Sequence, residues 1–209
     1  MKYPNGFKGV SNILTAEILG LISALAFILS LLVMGAGVAA GSADVAVGGL
    51  LATLLSVVLG TILGLVALVV SLIGINAAKN DEPTTKFFTY AFYATIINLI
   101  FGVIAGFALP SDSIVKTVIS DILNTVVTVF IIMGIQSFAR ELGNTELESL
   151  GKTILICIVI VQVISIVISI IGANVTTTVF SIIGGVLTVV YYVIYLVFLS
   201  KAKTMLKAQ

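Results

Sequence analysis

Strongly apolar stretches alternate with short polar breaks along the whole chain. Residues 18–43, 45–78, 87–111, 122–139 and 153–200 contain no Asp, Glu, Lys or Arg, giving uncharged runs of 26, 34, 25, 18 and 48 residues. A helix needs about 20 apolar residues to cross the hydrocarbon core of a bilayer, so the first four runs each hold one span and the last holds two. Turn-forming residues place the six spans near 13–35, 46–72, 87–109, 114–136, 153–173 and 177–199. The expected fold class is therefore all-α. It is a polytopic integral membrane protein, with residues 1–209 forming a single transmembrane domain, a compact six-helix bundle.

The breaks carry capping chemistry. In Thr145-Glu146-Leu147-Glu148 the Thr hydroxyl is expected to accept from the Glu148 amide while the carboxylate reaches back, and Gly143 suits the end of the preceding helix. Helix five should thus begin before the membrane. Pro83 fits a first-turn position, and Ser111 or Ser113 suits the cap of helix four. The acidic pairs Asp81-Glu82 and Glu146/Glu148 lie in turns beside Lys residues, where capping explains them better than acid–base chemistry.

Composition confirms the class. The chain is 60% hydrophobic and 9% charged, with a mean hydropathy of +1.29, whereas soluble domains carry roughly a quarter charged residues. The lipid bilayer is the surrounding medium, and a net charge of +1 argues against a nucleic-acid partner. The distribution of charge says more than its sum. Nine of the ten Lys and Arg residues fall at the N-terminus, in the 2–3 and 4–5 connections and at the C-terminus, and only Lys116 falls on the other side. By the positive-inside rule both termini are expected in the cytoplasm of a multi-pass cell-membrane protein. Tyr3, Phe7, Phe87, Phe88, Tyr90, Tyr191, Tyr192 and Tyr195 gather toward the same side, where aromatic rings settle at the headgroups.

Residues 1–43 also read as a signal peptide, with Lys2 and Lys8 before an apolar run and Gly41-Ser42-Ala43 as a cleavage site. The apolar core from Ile18 to Met34 exceeds the about 7–15 residues usual for such a segment, so retention as the first span is expected. Asn174-Val175-Thr176 matches a glycosylation acceptor, but the motif is so short that a helix-joining turn is the better reading. Gly74-Ile75 before Lys79 resembles Gly134-Ile135 before Arg140, which suggests three hairpin repeats; any six-helix chain with basic residues on one side shows the same pattern.

Lipid is as apolar as Leu, so faces are read from small and polar residues instead. Gly48, Ala52, Ser56, Gly60 and Gly64 recur every four residues in helix two and are expected to form a close-packed seam. Helix four carries Thr117, Asp121, Asn124 and Thr128 at spacings of 4, 3 and 4, a single polar stripe on one face. Asp121 is the one acid well inside a span, roughly 10 Å from the helix start at 1.5 Å per residue. A carboxylate there must be neutralised, hydrated or paired. Either it holds helices together, or it marks an ion, proton or polar cavity site. Asn98 in helix three and Gln162 in helix five are further lining candidates, while Ser165 and Ser169 of helix five and Ser181, Gly185, Thr188 and Tyr192 of helix six are expected to face the bundle.

Catalysis lacks its parts. The chain has no His, one Cys, no phosphate loop and no nucleophile elbow, so no enzyme activity, cofactor or metal is expected, and Cys157 reads as a small buried hydrophobe. Two function classes remain. The favoured one is a non-catalytic membrane module: a subunit, assembly factor or immunity-type protein that binds another membrane protein, a secreted protein or a second copy of itself. The alternative is a small-solute or ion permease built on the helix-four stripe. Convergence of Asp121, Asn124, Asn98 and Gln162 on one cavity separates the two.

Overall fold

The computed structural model describes residues 2–39, 43–83, 85–110, 113–172 and 178–208, with side chains at 37–46, 165 and 168–188 outside the description. Six helices follow in order: α1 (Pro4–Ala39), α2 (Ala43–Asn80), α3 (Phe87–Ala108), α4 (Ile114–Glu141), α5 (Thr145–Gly172) and α6 (Thr178–Lys207). All six are long and apolar enough to cross a membrane, and no strand occurs among the described residues. The Asn174–Thr176 turn, Ser111 and most of Gly41-Ser42-Ala43 lie outside the described residues, as do the side chains of Ser165, Ser169, Ser181 and Thr188.

Most helices run longer than the expected spans. At 1.5 Å per residue the 22 residues of α3 reach about 33 Å, close to the roughly 30 Å hydrocarbon core, whereas the 36 of α1 reach about 54 Å. The extra turns fall at the end rich in Lys and Arg. There Pro4 opens α1, at a position where a missing N–H costs nothing, and Phe7 N–H donates to the Tyr3 carbonyl at 2.9 Å.

The chain divides into two compact units, residues 1–11 with 74–209, and residues 12–73. In the larger unit α4 is central, packing on both α3 and α5, while α5 packs on α6. Its core lies at the basic end. Ile131, Ile132, Ile135, Phe138 and Ala139 of α4 are buried, together with Phe88, Ile154, Phe198 and Leu199, and no described α4 residue before Ile131 is. Phe138 sits between Tyr3 and Phe88, with ring centroids 5.1 and 5.5 Å away. Gly134 admits the Phe88 ring so closely that a Cβ would lie 2.5 Å from it.

Three rings of the expected aromatic belt do not stand at the surface of the helices: Tyr3, Phe88 and Tyr195 are buried between helices, where elements converge at the basic end. Tyr3 donates to the Glu141 carboxylate, and burial together with that bond pushes its phenol above the ordinary range.

Connections are held by their own polar groups. The Asp81 carboxylate accepts from Asn5 Nδ2 and Gly6 N, each at 2.9 Å, and so caps α1 from the α2–α3 turn. Its neighbour Glu82 caps α3, accepting from Phe88 N at 2.9 Å and Thr89 N at 3.4 Å. Burial nonetheless raises the Glu82 carboxyl above the ordinary carboxylate range, against the pull of those backbone bonds. Pro83 therefore precedes α3 by four residues and does not sit in its first turn.

At the α4–α5 corner Asn144 N donates to Ala139 O at 2.8 Å and Gly143 N to Arg140 O at 3.2 Å, with Gly143 at φ 67. This is a Schellman ending, and it requires the left-handed conformation that Gly adopts freely. The cap of α5 is Asn144, whose Oδ1 accepts from Leu147 N at 2.9 Å, one residue earlier than Thr145. Glu148 is drawn instead into ion pairs with Arg140 and Lys152, both at 3.1 Å. Ser113 caps α4 and accepts from Lys116 N.

In the smaller unit α1 and α2 run antiparallel. A Cβ on Gly49 would meet Met34 Cα at 2.4 Å, one on Gly60 would meet Ser23 Oγ at 2.9 Å, and Ser23 Oγ donates to Gly60 O at 3.4 Å. Ser56, Gly60 and Gly64 share a groove of about 440 Å3 with Gly20, Ser23 and Phe27, and Ala52 is half-buried. Among the described residues nothing lies within 4 Å of a Cβ built on Gly48 or Gly64. A period of four drifts about 40° per step against a helix of 3.6 residues per turn. Gly48 and Gly64 consequently point to nearly opposite sides.

Candidate functional site

The larger unit loosens away from its core, and there α4, α5 and α6 leave a cleft of about 260 Å3. Asp121, Asn124, Thr125 and Thr128 line it from α4, Ile158, Val161 and Gln162 from α5, and Tyr191 from α6. The α4 set follows from spacing: steps of three, four and seven residues from Asp121 keep all four side chains within a narrow arc. Gln162 stands a little over one turn from Ile158, so both face α4.

Two hydrogen bonds between side chains tie three helices around the cleft. Asn98 Nδ2 of α3 donates to Asn124 Oδ1 at 2.7 Å. Thr125 Oγ1 lies 2.8 Å from Gln162 Oε1 and 2.7 Å from the Asp121 carbonyl, and its single proton serves one at a time. Thr128 Oγ1 donates to Asn124 O at 3.1 Å.

Two groups remain without partners among the described residues. Gln162 Nε2 is buried with no acceptor. The Asp121 carboxylate makes no hydrogen bond or ion pair with a described side chain, and only its backbone carbonyl is engaged. A buried unpaired amide donor costs about 1–3 kcal/mol, and an unpaired ion in an apolar span more.

Asp121, Asn124 and Gln162 thus meet in one cleft, and Asn98 joins it through Asn124. Thr117 does not. It lies in the first turn of α4, its hydroxyl 3.4 Å from Ser113 O, one turn beyond the cleft. Thr125 and Tyr191 are additions to the expected set. Thr125 was legible as the i+4 neighbour of Asp121, whereas Tyr191 read as an interfacial ring; it stacks on Tyr195 with centroids 6.3 Å apart.

Among the described residues no three His, Cys, Asp or Glu side chains assemble into a metal-binding group. The cleft can offer a carboxylate, two amides, two hydroxyls and a phenol against an apolar wall, which is a set for binding and orienting a small solute. In comparison with known proteins, the chain matches no family model, no curated protein and no solved structure.

Proposed function

We propose that this chain is a multi-pass cell-membrane protein with both termini cytoplasmic that binds and passes a small polar solute or cation through the α4–α5–α6 cleft. The observation that carries this reading is the meeting of Asp121, Asn124 and Gln162 around one cavity of about 260 Å3, with Asn98 bonded to it. Drug-sized ligand pockets run from about 300 Å3 upward, so the occupant is small. Catalysis has no part in it: the chain has no His and a single Cys, and the polar groups of the cleft suit hydrogen bonding to a ligand.

A second reading, a non-catalytic subunit, assembly factor or immunity-type module that binds a membrane or secreted protein or a second copy, draws support from the α1–α2 groove around Gly60 and Gly64. Proteoliposomes assayed for proton, sodium and small-amine flux distinguish the two. Flux that Asp121→Asn lowers at least tenfold, with folding unchanged, is expected for a permease. Equal flux in wild type and variant removes Asp121 from the mechanism, and no flux in either favours the binding module.

A further inference from the structure

We infer that the cleft is reached only from the end of α4 that carries Lys116, and that a gate of packed side chains separates it from the basic end where both termini lie; this rests on the reading of the cleft as a solute site. Three helices line the cleft, and all three carry the same order of layers.

One helical turn from each lining face toward the basic end stands a buried side chain. Thr128 of α4 is backed by Ile132, Ile158 of α5 by Ile154, and Tyr191 of α6 by Tyr195, exposed by 0, 1 and 2%. Each is a step of four residues, so the three share the faces that line the cleft and lie about 6 Å beyond it. A second layer follows with Ile135, Phe198 and Leu199, all fully buried. Below these, α4 and α5 are locked together: Gln136 Nε2 donates to the Glu148 carbonyl at 3.2 Å, and a Cβ on Gly151 would lie 2.7 Å from Gln136 Cγ.

The opposite direction differs. No described α4 residue before Ile131 is buried, and Asn124 stands exposed beside the cleft. A close-packed, largely apolar layer holds no room for water, and a polar solute or ion entering it would lose its hydration without gaining partners. Hydrophobic constrictions close pores on that principle. The cleft thus exchanges with one side in this conformation, as one arm of an alternating-access cycle requires, and passage to the basic side requires the two layers to part.

The test is cysteine labelling on a Cys157→Ser background, in intact cells and in inverted membrane vesicles, with an impermeant cationic methanethiosulfonate. Val115→Cys and Lys207→Cys mark the two sides. Thr128→Cys is expected to react from the Val115 side at least tenfold faster than from the Lys207 side, and Ile135→Cys from neither. Ile135→Ala combined with Thr128→Cys should raise labelling from the Lys207 side at least tenfold; Ile154→Ala replaces it where the first variant has a lowered thermal midpoint. Thr128→Cys labelled equally from both sides, or only from the Lys207 side, overturns the gate and leaves a solute cleft standing. One-sided labelling that persists in a folded Ala variant overturns the assignment of the gate to these layers. No labelling of Thr128→Cys from either side means a dry cleft and overturns the solute-site reading as well.

Discussion

Asn98 Nδ2 donates to Asn124 Oδ1 across 2.7 Å, joining α3 to α4 one turn beyond Asp121. Neither amide lies in a buried core, so this bond substitutes for the side-chain packing seen at the other end of the same helices. A double-mutant cycle with Asn98→Ala and Asn124→Ala should return a coupling of about 1 kcal/mol, the usual size for interhelical hydrogen bonds in membranes. Unfolding in mixed micelles measures it. Strict additivity of the two substitutions would mean the pair is adventitious.

Glycines separate into tight and open positions. Gly9 faces Gly74 O and Ala78 at 2.6 Å, Gly49 faces Met34 backbone at 2.4 Å, and Gly134 faces the Phe88 ring at 2.5 Å, all measured from a built Cβ. Alanine at Gly9, Gly49 or Gly134 should cost about 1–3 kcal/mol through overpacking. Gly64→Ala should change stability little and even favour the helix slightly. Thermal midpoints in detergent rank the four, and a Gly64 variant as damaging as the Gly49 one would contradict the assignment of its face.

Stability near the α2–α3 turn should depend on Glu82 ionisation. Burial raises its carboxyl above the ordinary 4.5, so the protonated form is favoured on folding. The contribution is full below 4.5 and is lost as pH rises through the raised value. Glu82→Gln keeps an oxygen for Phe88 N but cannot ionise. The stability of wild type relative to Glu82→Gln is therefore expected to be greater at pH 4 than at pH 7. A difference constant across that range would show that the Glu82 carboxyl titrates alike in folded and unfolded chains.

Orientation can be read by labelling. On a Cys157→Ser background, single cysteines at 44 and 175 should react with an impermeant reagent applied to intact cells, and those at 80 and 207 only after permeabilisation. The nine-to-one distribution of Lys and Arg is the motive. Reaction of position 207 in intact cells would reverse the assignment.

The number and kind of elements were legible in the sequence alone. Apolar length is a local quantity, and so is the 4, 3, 4 spacing that put Asp121, Asn124 and Thr128 on one face of α4. Gly143 announced the end of that helix for the same reason: the left-handed turn is a property of one residue. Rotation of one helix against another was not legible. In lipid an outward face is as apolar as an inward one, so hydrophobic pattern does not say which side meets a neighbour. The α2 ladder shows the consequence, since close contact falls on Gly49 while Gly48 meets nothing within 4 Å among the described residues. Only the tertiary structure decided that Gln162 and Tyr191 would face the α4 stripe, that Asn98 would reach it through Asn124, and that Asp81 and Glu82 would cap two helices at once. Each depends on helix ends and rotations fixed by packing between segments distant in the chain.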